Sequence, residues 1–230
     1  MTLKLNGSSS GSVSIDAPAS TTSGADITFA LPVADGSSGQ ALTTNASGQL
    51  AFSSNPGTGR KVLEQFYSPC DGSVITLQDG NHTLTGPSAH YDTTDSFADV
   101  VGSSFTYTPP TGATQVIYEL AIAERNDGGS GPIISYKLLL DSDEVTKGRT
   151  VSRGPSSYET TVIVKWAFNI GGSADTTVGR VASWTSDKTI KVQVSRYSSS
   201  FPAIIHEFSH WGTSSDDSLV LPRLGITAIG

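Results

Sequence analysis

The segment His206–His210, with the sequence HEFSH, is the clearest candidate for chemistry in the chain. It matches the pattern H-E-x-x-H, in which two histidines one helical turn apart hold Zn²⁺ and the glutamate activates water. If the segment were a helix of this kind, the chain would be a zinc metalloprotease with His206, Glu207 and His210 in the active site.

The secondary structure expected around residues 206–210 argues against a zinc site there. Pro202 and Gly212 confine any helix to about ten residues, fewer than the roughly 12–15 that a stable helix needs. No histidine or glutamate follows residue 210 to serve as a third ligand. In a strand, His206, Phe208 and His210 would share one face, with the two histidines about 13 Å apart, too far for one ion. We therefore expect no catalytic residues, no metal and no cofactor, and keep the zinc protease as a minor alternative.

Composition excludes several classes of protein. Only 15% of the 230 residues are charged, and the net charge is −7. A nucleic-acid-binding protein would carry a basic stripe, and no apolar run approaches the roughly 18–20 residues of a membrane span. Cys70 is the sole cysteine, which rules out an intrachain disulfide. With no apparent signal peptide, we expect synthesis in a reducing cytoplasm, without binding to nucleic acid or insertion into a membrane.

The residues after Arg60 predict an antiparallel β-sandwich of the jelly-roll type. Short β-branched and aromatic segments recur there, separated by Gly, Pro, Asn and Asp. The predicted strands are Val62–Tyr67, Ser73–Gln78, Ser104–Thr108, Gln115–Ala123, Ile133–Leu140, Thr160–Ile170, Thr189–Ser195, Ala203–Trp211 and Arg223–Ile229. Trp166 and Phe168 alternate within one of them, which predicts that both belong to the core.

The first sixty residues have a different character. They are rich in Ser, Thr and Gly, with small alternating apolar sets such as Leu3/Leu5 and Val13/Ile15. Composition alone favours a disordered linker, whereas the alternation favours strands with too little apolar surface to fold in one chain. Such strands become stable when several copies wrap together or dock on a partner. We favour assembly, and predict an attachment and shaft segment at 1–60 and a sandwich head at 61–230.

Several stretches resemble fibre and virion structural proteins from tailed phages of marine cyanobacteria. The N-terminal stretches that carry the resemblance are Leu3–Gly7, Gly11–Ala19, Ile27–Pro32 and Gly39–Phe52. The stretches that resemble the C-terminal knobs of those proteins are Asp99–Gly112, Gln115–Glu119, Gly179–Trp184 and Pro222–Gly230. The resemblance covers nearly the whole chain and has no catalytic residues to carry over.

The resemblance implies a location in the virion and an all-β, trimeric head of the C1q/TNF-like kind. The N-terminal strands would attach it to other virion proteins, with Leu3, Leu5, Val13 and Ile15 as candidate attachment residues. Head loops would contact a host-surface glycan or envelope protein, as part of a short fibre. The candidate binding residues, chosen by composition, are Arg149, Arg153, Tyr158, Tyr197 and Phe201. The alternative within the same class is a capsid-surface decoration protein without a receptor.

Overall fold

A computed structural model describes residues 2–6, 12–16, 30, 32–37, 40–44, 50–54, 59–128, 130–156, 158–209 and 218–230. The chain divides into two compact units, Met1–Gly59 and Arg60–Gly230. Within the described ranges, no helix has the length and apolar character needed to cross a membrane.

The first unit contains two antiparallel hairpins. Strands β1 (Thr2–Asn6) and β2 (Ser12–Asp16) form one, and β3 (Gln40–Thr44) and β4 (Leu50–Ser54) form the other. An isolated two-stranded hairpin is marginally stable at best in water. The unit therefore has no sheet large enough to bury a core among its described residues.

The second unit is built from strands of two to twelve residues, and all of their pairings with one another are antiparallel. They are β5 (Val62–Pro69), β6 (Val74–Leu77), β7 (Gly80–Thr83), β8 (Tyr91–Asp92), β9 (Ala98–Asp99), β10 (Phe105–Tyr107), β11 (Gln115–Asn126), β12 (Ile133–Leu140), β13 (Asp143–Glu144), β14 (Thr150–Arg153), β15 (Glu159–Asn169), β16 (Lys188–Arg196), β17 (Ala203–Ile205) and β18 (Arg223–Ile229). Short 3-10 turns lie at Thr146–Gly148 and Thr176–Val178. The prediction of an all-β fold is confirmed.

Two six-stranded sheets form the sandwich-like head. The first sheet has the long strand β11 at its centre, paired with β15 along one edge and with β18 and β17 along the other; β5 and β8 lie outside these. The second sheet has the order β10-β16-β12-β13, with β14 also paired to β12 and β9 to β16. A separate hairpin of β6 and β7 lies alongside.

Period-two alternation explains the core between the sheets. Alternate residues of each strand point inward, and these positions are apolar. The first sheet contributes Val116, Tyr118, Leu120, Ile122, Val164, Phe168, Leu224 and Ile226, and the second contributes Ile134, Tyr136, Leu138, Ile190, Val192 and Val194. Phe168 is fully buried as predicted, and its ring meets Trp184 edge-on at 6.0 Å. Trp166 is half-buried, and its Nε1 donates to the Val178 carbonyl.

The predicted strand at Ala203–Trp211 is wrong over residues 206–209, and His210 and Trp211 lie outside the described residues. Strand β17 ends at Ile205 because His206 has a backbone φ of 70°, in the left-handed region that breaks a ladder. In the other direction, β11 runs on to Asn126, three residues past the predicted end. The short strands β8, β9 and β13 escaped prediction because two residues are too few to show an alternation.

Candidate functional site

The helix that the zinc motif requires is not formed over its described residues. Strand β17 leads directly into His206, and Glu207 forms an isolated antiparallel bridge with Leu219. A φ of 70° at His206 is far from the helical value of about −63°. His210 lies outside the described residues. The zinc motif would need His206 and His210 on one face of a helix, and residues 206–209 do not form a helix.

The side chains of the motif have structural partners instead. Glu207 is buried and accepts from Arg125, whose Nε and Nη2 lie 2.8 and 2.7 Å from its Oε2. The Nδ1 of His90 lies 3.9 Å from the other carboxylate oxygen. His206 is fully buried, with its ring edge-on to Tyr91 at 5.6 Å. The Arg125 guanidinium therefore neutralises the negative charge of the buried Glu207 carboxylate.

We expect the folded protein to retain no stoichiometric zinc. Over the described part of the chain, no cluster of three or more His, Cys, Asp or Glu side chains has the arrangement of a metal site. Elemental analysis after dialysis without chelator measures this directly. Zinc at one equivalent per chain, together with a hydrolytic activity that Glu207→Gln abolishes, would contradict the expectation and restore the protease alternative.

Three of the five candidate binding residues lie together at one end of the second sheet. Arg153 is opposite Ile133 in the ladder, and the Tyr197 amide donates to the Ile133 carbonyl on the other side. The Tyr197 ring, 72% exposed, meets the Phe201 ring edge-on at 5.9 Å. We call these neighbouring residues at the end of the sheet the rim patch: Arg153, Ile133, Tyr197 and Phe201.

The other two candidate residues lie elsewhere. Arg149 precedes β14, about 13 Å of extended chain from Arg153, and its Nε donates to Glu144 at 2.6 Å. Tyr158 is half-buried, because one side of its ring lies where a Cβ on Gly154 would come within 2.2 Å. The five residues thus do not form one site.

The four candidate attachment residues lie in the β1–β2 hairpin. Leu3 is opposite Ile15, and Leu5 is opposite Val13. The apolar positions of β1 are therefore in register with the apolar positions of β2.

A buried carboxylate that sequence analysis missed lies between the sheets. Glu124 is fully buried on β11, where Tyr136 Oη donates to it at 2.5 Å and Ser152 Oγ at 2.7 Å. Burial raises the pKa of Glu124, while the two hydrogen bonds oppose that rise. Glu124 continues the inward-facing series through Leu120 and Ile122. Ending the predicted strand at Ala123 concealed it.

A small cavity, also missed, lies where β11 ends and β15 begins. Its volume is about 220 Å³, and its lining includes Arg125, Asn126, Ser156, Tyr158, Glu159 and Ser209. Asn126 is 5% exposed, and its Oδ1 is buried with no hydrogen-bond partner among the described residues. A buried acceptor of this kind is rare in folded proteins. The only sequence signal was the end of a strand followed by Asp127–Gly128.

The outer face of the first sheet combines exposed apolar groups with few ion pairs and has no cover from the described part of its own unit. The exposed Arg223 lies on this face, opposite Ala121. One row across four strands contains Tyr67, Gly225, Glu119 and Lys165, and Glu119 and Lys165 pair with each other at 2.6 Å. Tyr67 lies down over Gly225, where a Cβ would come within 2.5 Å of its ring. Tyr67 remains 52% exposed and Ile163 56% exposed. The result is a flat surface with exposed apolar groups.

The outer face of the second sheet has the opposite character. Lys191 pairs with Asp99 at 2.9 Å, and Lys137 pairs with Glu144 at 3.4 Å. Lys137 Nζ also lies 4.0 Å from the centre of the Phe97 ring. Ion pairs of this kind are typical of a surface that stays in contact with water. The two outer faces of the head therefore differ in the partners that they can contact.

No protein-family model and no curated protein matches the chain. Among solved structures, a chain in the structure of infectious bursal disease virus, Gt strain, is similar over 69% of this chain and 47% of that chain. The identity is 10% and the TM-score 0.23. The present chain thus spans about half the length of that viral chain.

Proposed function

We propose that the protein is a non-enzymatic structural component of a phage virion, a short fibre-like homotrimer. Residues 1–60 would attach it to other virion proteins, and the sandwich head at 61–230 would be displayed for contact with the host surface. The resemblance of the N-terminal stretches and of the knob-like stretches to phage fibre proteins supports the class of protein.

The observation that carries the assembly part is the contrast between the two outer faces of the head. A face on which Ile163 and Tyr67 are exposed beside the Glu119–Lys165 pair and Arg223 loses solvation at fewer ion pairs when it is buried than the face of the second sheet does. Removing it from water contributes about 25 cal/mol for each Å² of apolar surface. The ion-paired face of the second sheet would lose solvation at several charges. We therefore assign the first sheet to the contact between copies.

The first unit supports assembly independently. In the β3–β4 hairpin, Leu42 is directly opposite Phe52, and the two side chains are 51% and 39% exposed. A hairpin that leaves its main apolar pair in water gains little from folding alone. Further copies of the chain would supply the missing apolar contacts.

A matched pair of charge substitutions tests the proposal. Ile163 and Val151 are β-branched strand residues, 56% and 65% exposed, on the outer faces of the first and second sheets. By light scattering after size exclusion, we expect three 23.9 kDa chains for wild type and for Val151→Glu. Ile163→Glu should give a smaller species, because a carboxylate would be buried without a partner.

Two outcomes would contradict parts of the proposal. A monomeric wild type would remove the homotrimer, whereas a trimeric Ile163→Glu would move the contact away from the first sheet. Adsorption of the labelled trimer to host cells tests the display part. A trimer that binds the virion but does not adsorb to cells would favour the capsid-decoration alternative.

A further inference from the structure

The rim patch combines an exposed aromatic ring with an exposed arginine. Arg153, Ile133 and Tyr197 occupy one row across β14, β12 and the end of β16, because Arg153 is opposite Ile133 and the Tyr197 amide donates to the Ile133 carbonyl at 2.8 Å. The chain neighbours Ser152 and Ile134 are buried between the sheets, so alternation directs Arg153 and Ile133 outward. The patch therefore lies on the outer face of the second sheet, where a ligand can reach it.

Arg153 carries a charge that its own sheet does not neutralise. Four other cations stand on strands of the second sheet, and each has a carboxylate partner at 2.7–3.4 Å; they are Lys137, Lys188, Lys191 and Arg196. Arg153 has no ion pair and no side-chain hydrogen bond with any residue in the described ranges. A guanidinium presents paired N–H donors that match the two oxygens of a carboxylate. The patch thus favours an anionic partner locally, although the whole chain has a net charge of −7.

The Tyr197 ring supplies a flat apolar surface beside this charge. The turn at 198–201 is closed by a hydrogen bond from the Phe201 amide to the Ser198 carbonyl at 3.0 Å. This turn brings the Phe201 ring against the Tyr197 ring, with 5.9 Å between the ring centres. The contact restricts the Tyr197 ring while most of its surface stays in water. A ring exposed in this way offers a face for stacking against the apolar carbon face of a sugar.

The spacing of the row fits one sugar ring. Adjacent strands lie about 4.8 Å apart, so the Cα atoms of Arg153 and Tyr197, on either side of Ile133, are separated by about 10 Å. A single sugar ring over the half-buried Ile133 can place its carbon face on Tyr197 and its carboxylate within reach of the long Arg153 side chain. A carboxylate without a ring would use Arg153 alone, and a neutral sugar would use Tyr197 alone.

We propose that the rim patch binds one carboxylated sugar residue, with its carboxylate on the Arg153 guanidinium and its carbon face against Tyr197. The inference rests on the proposed display of the head toward the host, and it specifies the host contact as an acidic residue of a surface glycan. Arg149, whose Nε donates to Glu144, lies outside the patch and takes no part in the binding.

Saturation-transfer difference NMR with the full chain measures the binding of simple probes. Methyl glucuronide is the acidic probe, and methyl glucoside is its neutral match. The methylamide of N-acetylglutamate presents a peptide-like carboxylate without a ring. We expect methyl glucuronide to bind about tenfold more tightly than either comparison probe, because only methyl glucuronide can use both Arg153 and Tyr197.

Four variants locate the binding. Arg153→Gln removes the unpaired charge, and its control Arg149→Gln removes an equal charge from the exposed arginine that pairs with Glu144. Tyr197→Leu removes the ring of the patch, and its control Phe97→Leu removes an exposed ring beside Lys137 on the same sheet. We expect Arg153→Gln and Tyr197→Leu each to weaken the binding of methyl glucuronide about tenfold, and both controls to keep the wild-type affinity. Near-wild-type circular dichroism of all four variants shows that the fold is intact.

Each other outcome overturns the inference in a defined way. If methyl glucuronide does not bind wild type, the patch is not a site for an acidic sugar. Equal binding of methyl glucoside or of the glutamate probe contradicts a carboxylated sugar as the ligand. Binding that survives Arg153→Gln or Tyr197→Leu takes place elsewhere, and binding that the controls weaken equally is not specific to the patch.

The mass of the same samples and their adsorption to host cells separate this result from the proposed function. A trimer that adsorbs to cells but does not bind methyl glucuronide overturns only the acidic-sugar site. A monomer that binds methyl glucuronide overturns only the trimer.

Discussion

Acidification from about pH 8 to pH 4 is expected to remove about 3 kcal/mol of folding stability through His206 alone. Burial lowers the pKa of His206 from 6.5 to about 4. Neither ring nitrogen makes a hydrogen bond of normal geometry to the described residues, so burial outweighs the opposing effect of the nearby Val101 backbone on this pKa. Between these two pKa values the unfolded chain binds the proton more tightly. The free energy of unfolding therefore falls as the pH drops through this window.

Urea unfolding at a series of pH values measures the effect. His206→Asn removes the titrating ring and keeps a residue that tolerates a φ of 70°. We expect the difference in stability between wild type and His206→Asn to change by about 3 kcal/mol across this range. Ile205→Val, at the fully buried neighbour of His206, removes one methylene and no titrating group, so it is the control, and its difference from wild type should not change with pH. If the difference for His206→Asn is equally constant, the ring of His206 is not held neutral by burial.

Glu124 acts in the opposite direction over part of the same range. Its pKa is raised above 4.5 by burial, so the folded state holds this proton more tightly than the unfolded chain does. Its contribution therefore favours the folded state as the pH falls through the folded pKa towards 4.5. Because the effect of Glu124 is common to wild type, His206→Asn and Ile205→Val, it cancels in their stability differences.

Tyr136→Phe is expected to lower the free energy of unfolding by about 3 kcal/mol at neutral pH. The substitution removes the shorter of the two hydrogen bonds to the fully buried Glu124 and leaves the carboxylate with Ser152 alone. A buried carboxylate that loses a donor keeps most of its desolvation cost. We expect the loss to shrink at acid pH, where Glu124 becomes protonated and no charge is left unpaired.

Tyr118→Phe is the matched control. Tyr118 is also fully buried, but its hydroxyl donates to a neutral acceptor, the Ser103 carbonyl, at 2.6 Å. We expect a loss of about 1 kcal/mol that does not depend on pH. Denaturant unfolding of the two variants at neutral and acid pH gives the comparison. Equal losses at both pH values would show that Tyr136 does not stabilise an ionised Glu124.

Local alternation in the sequence was enough to predict the fold class and most of the strands. Segments such as Ile133–Leu140 and Arg223–Ile229 were predicted with their observed bounds, because apolar residues alternate through their central parts and a proline directly precedes each of them. Turn residues set the ends of such strands through their own backbone preferences. Both signals lie within a few neighbouring residues, so one sequence carries them.

The site residues depended on contacts that no local pattern contains. Arg153 and Tyr197 come together only because β14 and β16 both pair with β12, while Arg149, closer to Arg153 in sequence, points to a different partner. Similarly, Asn126 meets the loop before β15 through pairing of chain segments about thirty residues apart. Composition could select Tyr158 as a loop aromatic, but not the cavity beside it.

The sequence by itself determined an all-β chain with an apolar alternation that must be buried and a net charge of −7. Tertiary structure alone decided that the chain leaves the strand at His206, that Glu124 points into the core, and that the two outer sheet faces differ in their ion pairs. The physical reason is that strand pairing joins residues distant in sequence. The environment of each side chain, and hence its chemistry, follows from that pairing.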